Sequence, residues 1–539
     1  MQFVLNERNH KAILFALSLV FFYPFLGRVH LFDWDEINFA EIAREMIVSG
    51  DYLRPQINFQ PFWEKPPLFI WLQVLSMKIF GINEFAARFP NALVGTVTIL
   101  TVHQIGKNLL DSRFGFYWAL GWMGSILPHL YFKSGIIDPL FNLLIFASVH
   151  FFILFFILNK LLLHLCLSAS LLALAVLTKG PAALLIFGLS YVVFVVVNRF
   201  KLMLNFKEIV VYVIVLLLVT ALWYGIEVVV NGPFFITEFF KYQVRLFQTK
   251  DAGHGGFPGY HFVILLFGCF PSSVFALQAM FRNDKNVPQR FRSYRQMMLV
   301  LFWVVLILFS VVSTKIVHYS SLCYFPITFL SAAALHQITE QDFSFSPRLK
   351  TLFWVCAFVF ALATAFLPLV YLKPELVIPT MKDPFAVLAI QAEFTKPLYL
   401  FALPVIILAV VILFGRVSRK KISTSAVLFL FGGMALSIGL VLILFVGRIE
   451  MMSQNASVVF IEKYSRDGIV QVYGFKSYAH LYYGKVQPPG IPTVDELLQN
   501  PQEKPVYLLC KVNNEEALMS RKDVEKIEAR NGFVVFRKK

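Results

Sequence analysis

Thirteen apolar runs, each of about 17 to 25 residues, recur along this chain and leave it few possible folds. A helix of that length crosses a hydrocarbon core of about 30 Å. The runs fall near 11–29, 84–105, 113–131, 139–158, 161–177, 181–197, 208–226, 260–280, 297–313, 318–336, 351–372, 398–415 and 424–447. With 58% hydrophobic residues and 59 Phe in 539 positions, the chain carries more apolar surface than a soluble core can hide. The reading is an all-α polytopic membrane protein with about 13 transmembrane helices. The first run follows Arg8 and Lys11 without a small-residue cleavage site, so it is expected to be a retained helix and not a signal peptide.

A net charge of +16 would suggest nucleic acid in a soluble protein. Here Lys and Arg fall on alternate loops, as the positive-inside rule requires, and no nucleic-acid partner is implied. The basic loops carry Lys107 and Arg113; Lys160; Arg199, Lys201 and Lys207; Arg282, Lys285, Arg290, Arg292 and Arg295; Arg348 and Lys350; and Arg416, Arg419, Lys420 and Lys421. That pattern places the N-terminus in the cytoplasm, and an odd number of spans puts the C-terminus outside. The five cysteines are scattered singly and form neither a disulfide framework nor a metal motif.

Length concentrates in two outer loops, 30–83 and 227–259, and long loops between spans are usually functional. Within the first, "PPLFIWLQVLSMKIFG" is too short and amphipathic to cross, and reads as a helix lying in the interface with Trp71 at headgroup depth. A transmembrane domain is expected over 1–450 and a small extracytoplasmic α/β domain over 451–539. In the latter, "ASVVFIEKY", "GIVQVYGF", "PVYLLCKV" and "GFVVFRKK" have strand character, with "TVDELLQN" and "VEKIEA" as short helices between. No internal repeat is evident, which counts against transporter folds built on inverted repeats.

The first span gives way at once to "DWDEINFAEIAREM". Asp33 could cap a helix while Asp35 and Glu36 complement its dipole. Other ionisable groups keep these acids company at the outer ends of spans. They are Glu64 and Lys65 in "WEKPPL", Asp138, Lys179, Arg245, His254, Lys315, His318 and Tyr319. Pro66 and Pro67 stiffen the backbone beside Lys65. Singly such residues anchor helix ends by snorkelling, but on this topology all fall on one face, and ionisable groups at membrane depth mark a site. Cations gripping a lipid-linked phosphate opposite a carboxylate that serves the other reactant would suit glycosyl transfer.

"DWDEINFAEIAREMIVSGDYLRPQINFQPFWEKPPLFIWLQ", followed by "FGINEFAARFPNAL", resembles the polyprenyl-phosphate-dependent glycosyltransferases of the GT-C fold. The nearest group is the aminoarabinose (lipid A) transferases, with the protein O-mannosyltransferases more distant. The resemblance implies a polyprenyl-phosphate sugar donor, a lipid, glycan or protein acceptor, and inversion at the outer face of the cytoplasmic (inner) membrane. It implies that Asp35 is the catalytic carboxylate, supported by Glu36, and that Asp138 is the acid of the second outer loop. Lys65, Lys179, Arg245 and Tyr319 match phosphate- and substrate-binding positions. Glu64 matches a cavity acid that in some members lies near a divalent metal, although no cofactor is firmly implied. Phe39 stands where relatives often carry Tyr. Lys241 and Tyr242 stand where they often carry His, a loss that His254 could offset. The rival expectation is a transporter or flippase of the same lipid-linked sugar, which would place ionisable groups near mid-membrane.

Overall fold

The computed structural model describes residues 7–158, 160–201, 203–248, 255–281, 287–341, 343–392, 398–418 and 421–539. His254, Arg282, Lys285, Arg419 and Lys420 lie outside the described residues. Among the described residues, 9 helices are long and apolar enough to cross a membrane, or 10 if Tyr260–Gly268 and Ser272–Met280, bent by 113°, form one broken span. The remaining three apolar runs are also helical, but short or interrupted: His10–Phe22, Ser112–Gly124 with Ile126–Tyr131, and Ala182–Val197.

Burial orders the bundle. The span Val317–Glu340 is 94% buried in its apolar window and forms the centre, whereas Phe206–Asn231, at 6%, lies at the periphery of the bundle. In the loop 30–83, the helix Leu68–Phe80 buries Phe69, Ile70, Val74 and Met77 and leaves Leu75, Ile79 and Phe80 exposed. Trp71 does not float free at its surface, because its indole N–H donates to the Tyr52 carbonyl at 2.7 Å.

The acids of "AEIAREM" hold this loop in shape. Within the helix Asp35–Ser49, Arg44 forks onto Glu41 with two 2.7 Å bonds, and Glu45 accepts the backbone N–H groups of Asn58 at 2.6 Å and Phe59 at 2.8 Å. Those two donors form the turn between the short antiparallel strands β1 (Gln56–Ile57) and β2 (Gln60–Pro61). The turn in turn holds the C-terminal domain. The Asn58 side chain donates to the Ile491 carbonyl at 2.8 Å and accepts from the Ile491 N–H at 2.7 Å, imitating a paired strand residue.

The C-terminal sheet comprises β3 (Ile469–Tyr473), β4 (Val506–Lys511), β5 (Val524–Arg530) and β6 (Phe533–Lys538), in the order β3-β4-β6-β5. β3 and β4 are parallel, and the crossover they require carries the short helices Ala479–Tyr482 and Val494–Gln499. Two expectations are corrected. "ASVVFIEKY" lies in a helix, Asn455–Tyr464, which buries Ala456, Val458, Phe460 and Ile461. "VEKIEA" lies in the edge strand β5, whose ladder with β6 overrides the helical leaning of its Glu, Lys and Ala.

The junction with the bundle is polar and specific. Tyr483 Oη accepts from the Leu31 N–H at 2.7 Å, Gln454 bridges the Leu31 carbonyl and the Asp33 N–H, and His30 pairs with Glu450 at 2.8 Å. Burial pushes the Asp33 carboxyl from the ordinary 3.8 up to about 6, against hydrogen bonds from the Ser477 side chain and the Tyr478 backbone. An acid that holds its proton more tightly when folded adds stability below about pH 4, and that stability is lost as pH rises through about 6. Thermal unfolding followed from about pH 4 to about pH 7 should therefore show a decline that Asp33→Asn removes. The same slope in both proteins would refute the effect.

Candidate functional site

Adjacent residues at a helix start point about 100° apart, and the "DE" pair uses that divergence. Glu36 turns inward and is 6% exposed. Its carboxylate accepts Arg88 Nε at 2.9 Å and an Arg88 terminal nitrogen at 2.7 Å, the Phe32 N–H at 3.0 Å and the Gly135 N–H at 2.5 Å. Arg88 gives its remaining N–H groups to the carbonyls of Leu26, Val29 and His30, so all five guanidinium donors are used. Burial raises the Glu36 carboxyl, but the charge and hydrogen bonds of Arg88 and the two backbone donors outweigh it and hold it below the ordinary glutamate value. Glu36 is thus a structural clamp at the start of the helix, with no acceptor left for a reacting group.

Asp35 turns the other way. Its side chain is 41% exposed, and Oδ2 lies 3.9 Å from His318 Nε2. It stands where two cavities meet, a large one of about 810 Å³ and a small one of about 180 Å³. Both are lined by Asp35, Lys65, Tyr242, Ile316 and His318, which form the neck of one bipartite chamber.

Asp138, Lys179 and Tyr319 line the small lobe. Lys179 ends the helix Leu162–Lys179 and Asp138 opens the helix Asp138–Ile157, which brings their charged atoms to 2.6 Å. Lys179 Nζ lies 5.5 Å from the Tyr319 ring centre. Asp138 is 2% exposed, and its second oxygen has no hydrogen-bond partner among the described residues. Phe141, Ile186 and Leu322 add apolar surface to this lobe, which Asn142 also lines.

Glu64 and Arg245 line the large lobe. Tyr242 connects the two lysine- and arginine-bearing walls, since Lys65 Nζ and the Arg245 guanidinium carbon each lie 5.2 Å from the centre of its ring. Where the resemblance led to an expectation of His, this chain places a platform for two cations. Burial draws the Lys65 ammonium below the ordinary lysine value, with Glu64 and Asp35 acting against that. Phe39 is 1% exposed and packs edge-to-face on Phe69 at 6.1 Å.

Lys315 is not part of the chamber. Its ammonium donates to the carbonyls of Phe309, Ser310 and Val312 at 3.0, 2.6 and 2.6 Å, closing the end of the helix Gln289–Val311. Sequence reasoning assigned no role to Arg88, Lys133 or Lys476, all of which line the large lobe. Arg88 sat inside the quoted "FGINEFAARFPNAL", the one signal that could have flagged it. Among the described residues, no three His, Cys, Asp or Glu side chains group as a metal site requires. On their own these side chains do not fit a divalent ion beside Glu64.

Gly180 couples the two lobes. It follows Lys179 with φ +95°, and a Cβ there would run into the Phe239 ring of the amphipathic helix Phe234–Gln248, which carries Tyr242 and Arg245. Gly180→Ala is expected to cost about 2 kcal/mol or more from backbone strain and overpacking. Thermal unfolding reads the loss, and an unchanged midpoint would show that the contact yields freely.

The class follows from fold comparison. The structure of ArnT from Cupriavidus metallidurans bound to undecaprenyl phosphate superposes with a TM-score of 0.78, at 20% identity, over 98% of both chains. The oligosaccharyltransferase of Archaeoglobus fulgidus gives 0.52 at 11% identity, over 95% of this chain and 70% of that one. The protein is a multi-pass membrane protein with the GT-C fold. Within that fold it resembles the aminoarabinose transferases and protein mannosyltransferases. The dolichyl-phosphate-mannose-protein mannosyltransferase family model matches residues 64–224. Undecaprenyl phosphate-alpha-4-amino-4-deoxy-L-arabinose arabinosyl transferase 1 of Proteus mirabilis is 27% identical over 360 residues, 63% of this chain and 62% of its own length. The corresponding transferase of Pectobacterium carotovorum is 27% identical over 380 residues, 68% of this chain and 66% of its own. The alignments thus span slightly less than two thirds of these relatives.

Proposed function

We propose that the protein transfers one sugar from a polyprenyl phosphate of the undecaprenyl type to a lipid, glycan or protein acceptor, with inversion, at the outer face of the cytoplasmic membrane. The observation that carries this reading is the neck of the chamber, where an exposed carboxylate, Asp35, and Lys65 line both the small lobe, which holds Lys179, and the large lobe, which holds Arg245. The names of the aligned relatives support the donor class. Residues 1–450 would form the transferase unit and 451–539 its extracytoplasmic domain.

The donor's phosphate would sit against Lys65 and Lys179, with Arg245 closing from the large lobe. The acceptor oxygen would attack the anomeric carbon from the large-lobe side. As that bond forms, the bond from the anomeric carbon to the phosphate oxygen breaks, and its electron pair stays on the polyprenyl phosphate. The cations stabilise this growing charge more in the transition state than in the ground state. Asp35 takes the proton of an attacking hydroxyl as general base, and Asp138 holds Lys179 in place.

Detergent-purified protein supplied with a synthetic polyprenyl-phosphate sugar and an acceptor tests the reading. Sugar on the acceptor, with no bilayer present, supports transfer and excludes pure transport. An intact donor in the presence of every acceptor class refutes it.

A further inference from the structure

We propose that His318 is the positioning residue of Asp35 and takes over the proton that Asp35 removes, which suits the chamber to an acceptor hydroxyl and not to an acceptor that arrives already ionised. The inference deepens the transfer reading and rests on it.

Among the described residues, His318 is the one histidine that lines the chamber, and it lines both lobes. Its place is fixed from behind. It stands in the tight turn Val317–Cys323 that opens the central span, where its carbonyl accepts the Ser321 hydroxyl, and Ser321 Oγ accepts from Asn142 Nδ2 at 2.7 Å. Asn142 belongs to the helix Asp138–Ile157, so the acid of the small lobe and the imidazole of the neck share one framework. The Tyr319 ring meets the imidazole at 79°, with centres 5.8 Å apart. Held so, Nε2 lies 3.9 Å from Asp35 Oδ2. That is longer than a hydrogen bond, and acid–base contacts of this kind commonly tighten when a site fills.

Charge counting says what such a pair is for. A polyprenyl-phosphate sugar is a phosphodiester with one negative charge, and the polyprenyl phosphate it releases is a monoester with about two at neutral pH. When a hydroxyl attacks the anomeric carbon, the bond from that carbon to the phosphate oxygen breaks and its electron pair stays on the phosphate. One proton is then left over for each sugar moved. A phosphate dianion attacking the same carbon becomes a diester, loses one charge and leaves no proton. The leftover proton needs a holder in the neck. Lys65 serves there as a cation and Tyr242 carries a phenol, so neither takes up a proton at neutral pH. In water an imidazole holds a proton more tightly than a carboxylate by about two to three pKa units, yet exchanges it near neutral pH. Passing the proton from Asp35 to neutral His318 restores the carboxylate for the next transfer, and the imidazolium returns the proton to water.

The test uses the full chain in detergent, a synthetic polyprenyl-phosphate sugar, and lipid, glycan and peptide acceptors, each with a free hydroxyl and with that hydroxyl phosphorylated. Wild-type protein is expected to favour the hydroxyl form by about tenfold or more in kcat/KM. His318→Gln should lower kcat for the hydroxyl form by about 10²-fold and leave the donor's KM unchanged. The ratio of transfer to the two forms should fall with it, because only the hydroxyl has a proton to lose. His318→Asn carries the measurement if the Gln variant does not fold, and the wild-type preference needs no variant. The pairing is overturned by wild-type protein that shows no preference for the hydroxyl form, or by a variant that keeps the hydroxyl rate. A variant that slows both forms equally, or raises the donor's KM in step, marks a structural role and overturns it too. In each of those results sugar still moves and the transfer reading stands. A donor left intact with every acceptor overturns that reading, and the pairing with it.

Discussion

Asp35→Asn should lower kcat by about 10²–10⁴ while leaving the affinity for polyprenyl phosphate near its wild-type value. The substitution keeps the shape of the side chain and removes its charge and its proton-accepting capacity. The fold is expected to tolerate the change, because the carboxylate is 41% exposed and its ion-pair neighbour, His318, stands 3.9 Å away. With a hydroxyl acceptor the loss comes from the missing base. With an already ionised phosphate as the attacking group, it comes from the missing negative charge beside the developing positive charge at the anomeric carbon, an effect of about 10²–10³. Single-turnover transfer and separate binding of the lipid phosphate distinguish a chemical defect from a binding defect. Full transfer by Asp35→Asn would remove Asp35 from the chemistry.

Arg88→Met is expected to destabilise the protein by about 3–5 kcal/mol, the cost of leaving a buried charge without its partner. Glu36 would remain at 6% exposure with two backbone donors, while the carbonyls of Leu26, Val29 and His30 would lose theirs. The double variant Glu36→Gln with Arg88→Met should recover part of that loss, since no uncompensated carboxylate remains. Thermal unfolding of the two proteins side by side tests this. Equal midpoints for wild type and Arg88→Met would show that the clamp carries no weight, and a double variant weaker than the single would show that the charge was not the cost.

The bundle was largely legible, because each apolar run became a helix and the one amphipathic segment, Leu68–Phe80, lies against the bundle with an apolar face exposed. The division of labour within "DE" was implied by the resemblance and not by the two residues themselves. Two adjacent acids look alike in sequence, and what separates them is an arginine 52 residues away. Lys179 and Lys315 were likewise equivalent as lysines at span ends. Only the fold gives one of them Asp138 and the other three carbonyls. Lys476 carries no motif at all, since it reaches the chamber through the docking of a domain from the far end of the chain. The errors at "ASVVFIEKY" and "VEKIEA" have one physical source. Segments of six to nine residues are too short for periodicity to decide, and their packing partners decided instead.

The peripheral span Phe206–Asn231 carries a final implication. Its outer end is tied to the first loop through Glu227 with Arg54 and Trp223 with the Leu53 carbonyl, and the chain then runs directly into the helix bearing Tyr242 and Arg245. A peripheral span with Leu217, Leu218, Leu222 and Val229 exposed presents an apolar face to acyl chains, so a thicker or thinner hydrocarbon layer acts on it by changing its tilt. The setting of Arg245 in the large lobe is then shared between the polypeptide and the bilayer, and the composition of the surrounding lipids becomes one of the variables of the proposed reaction.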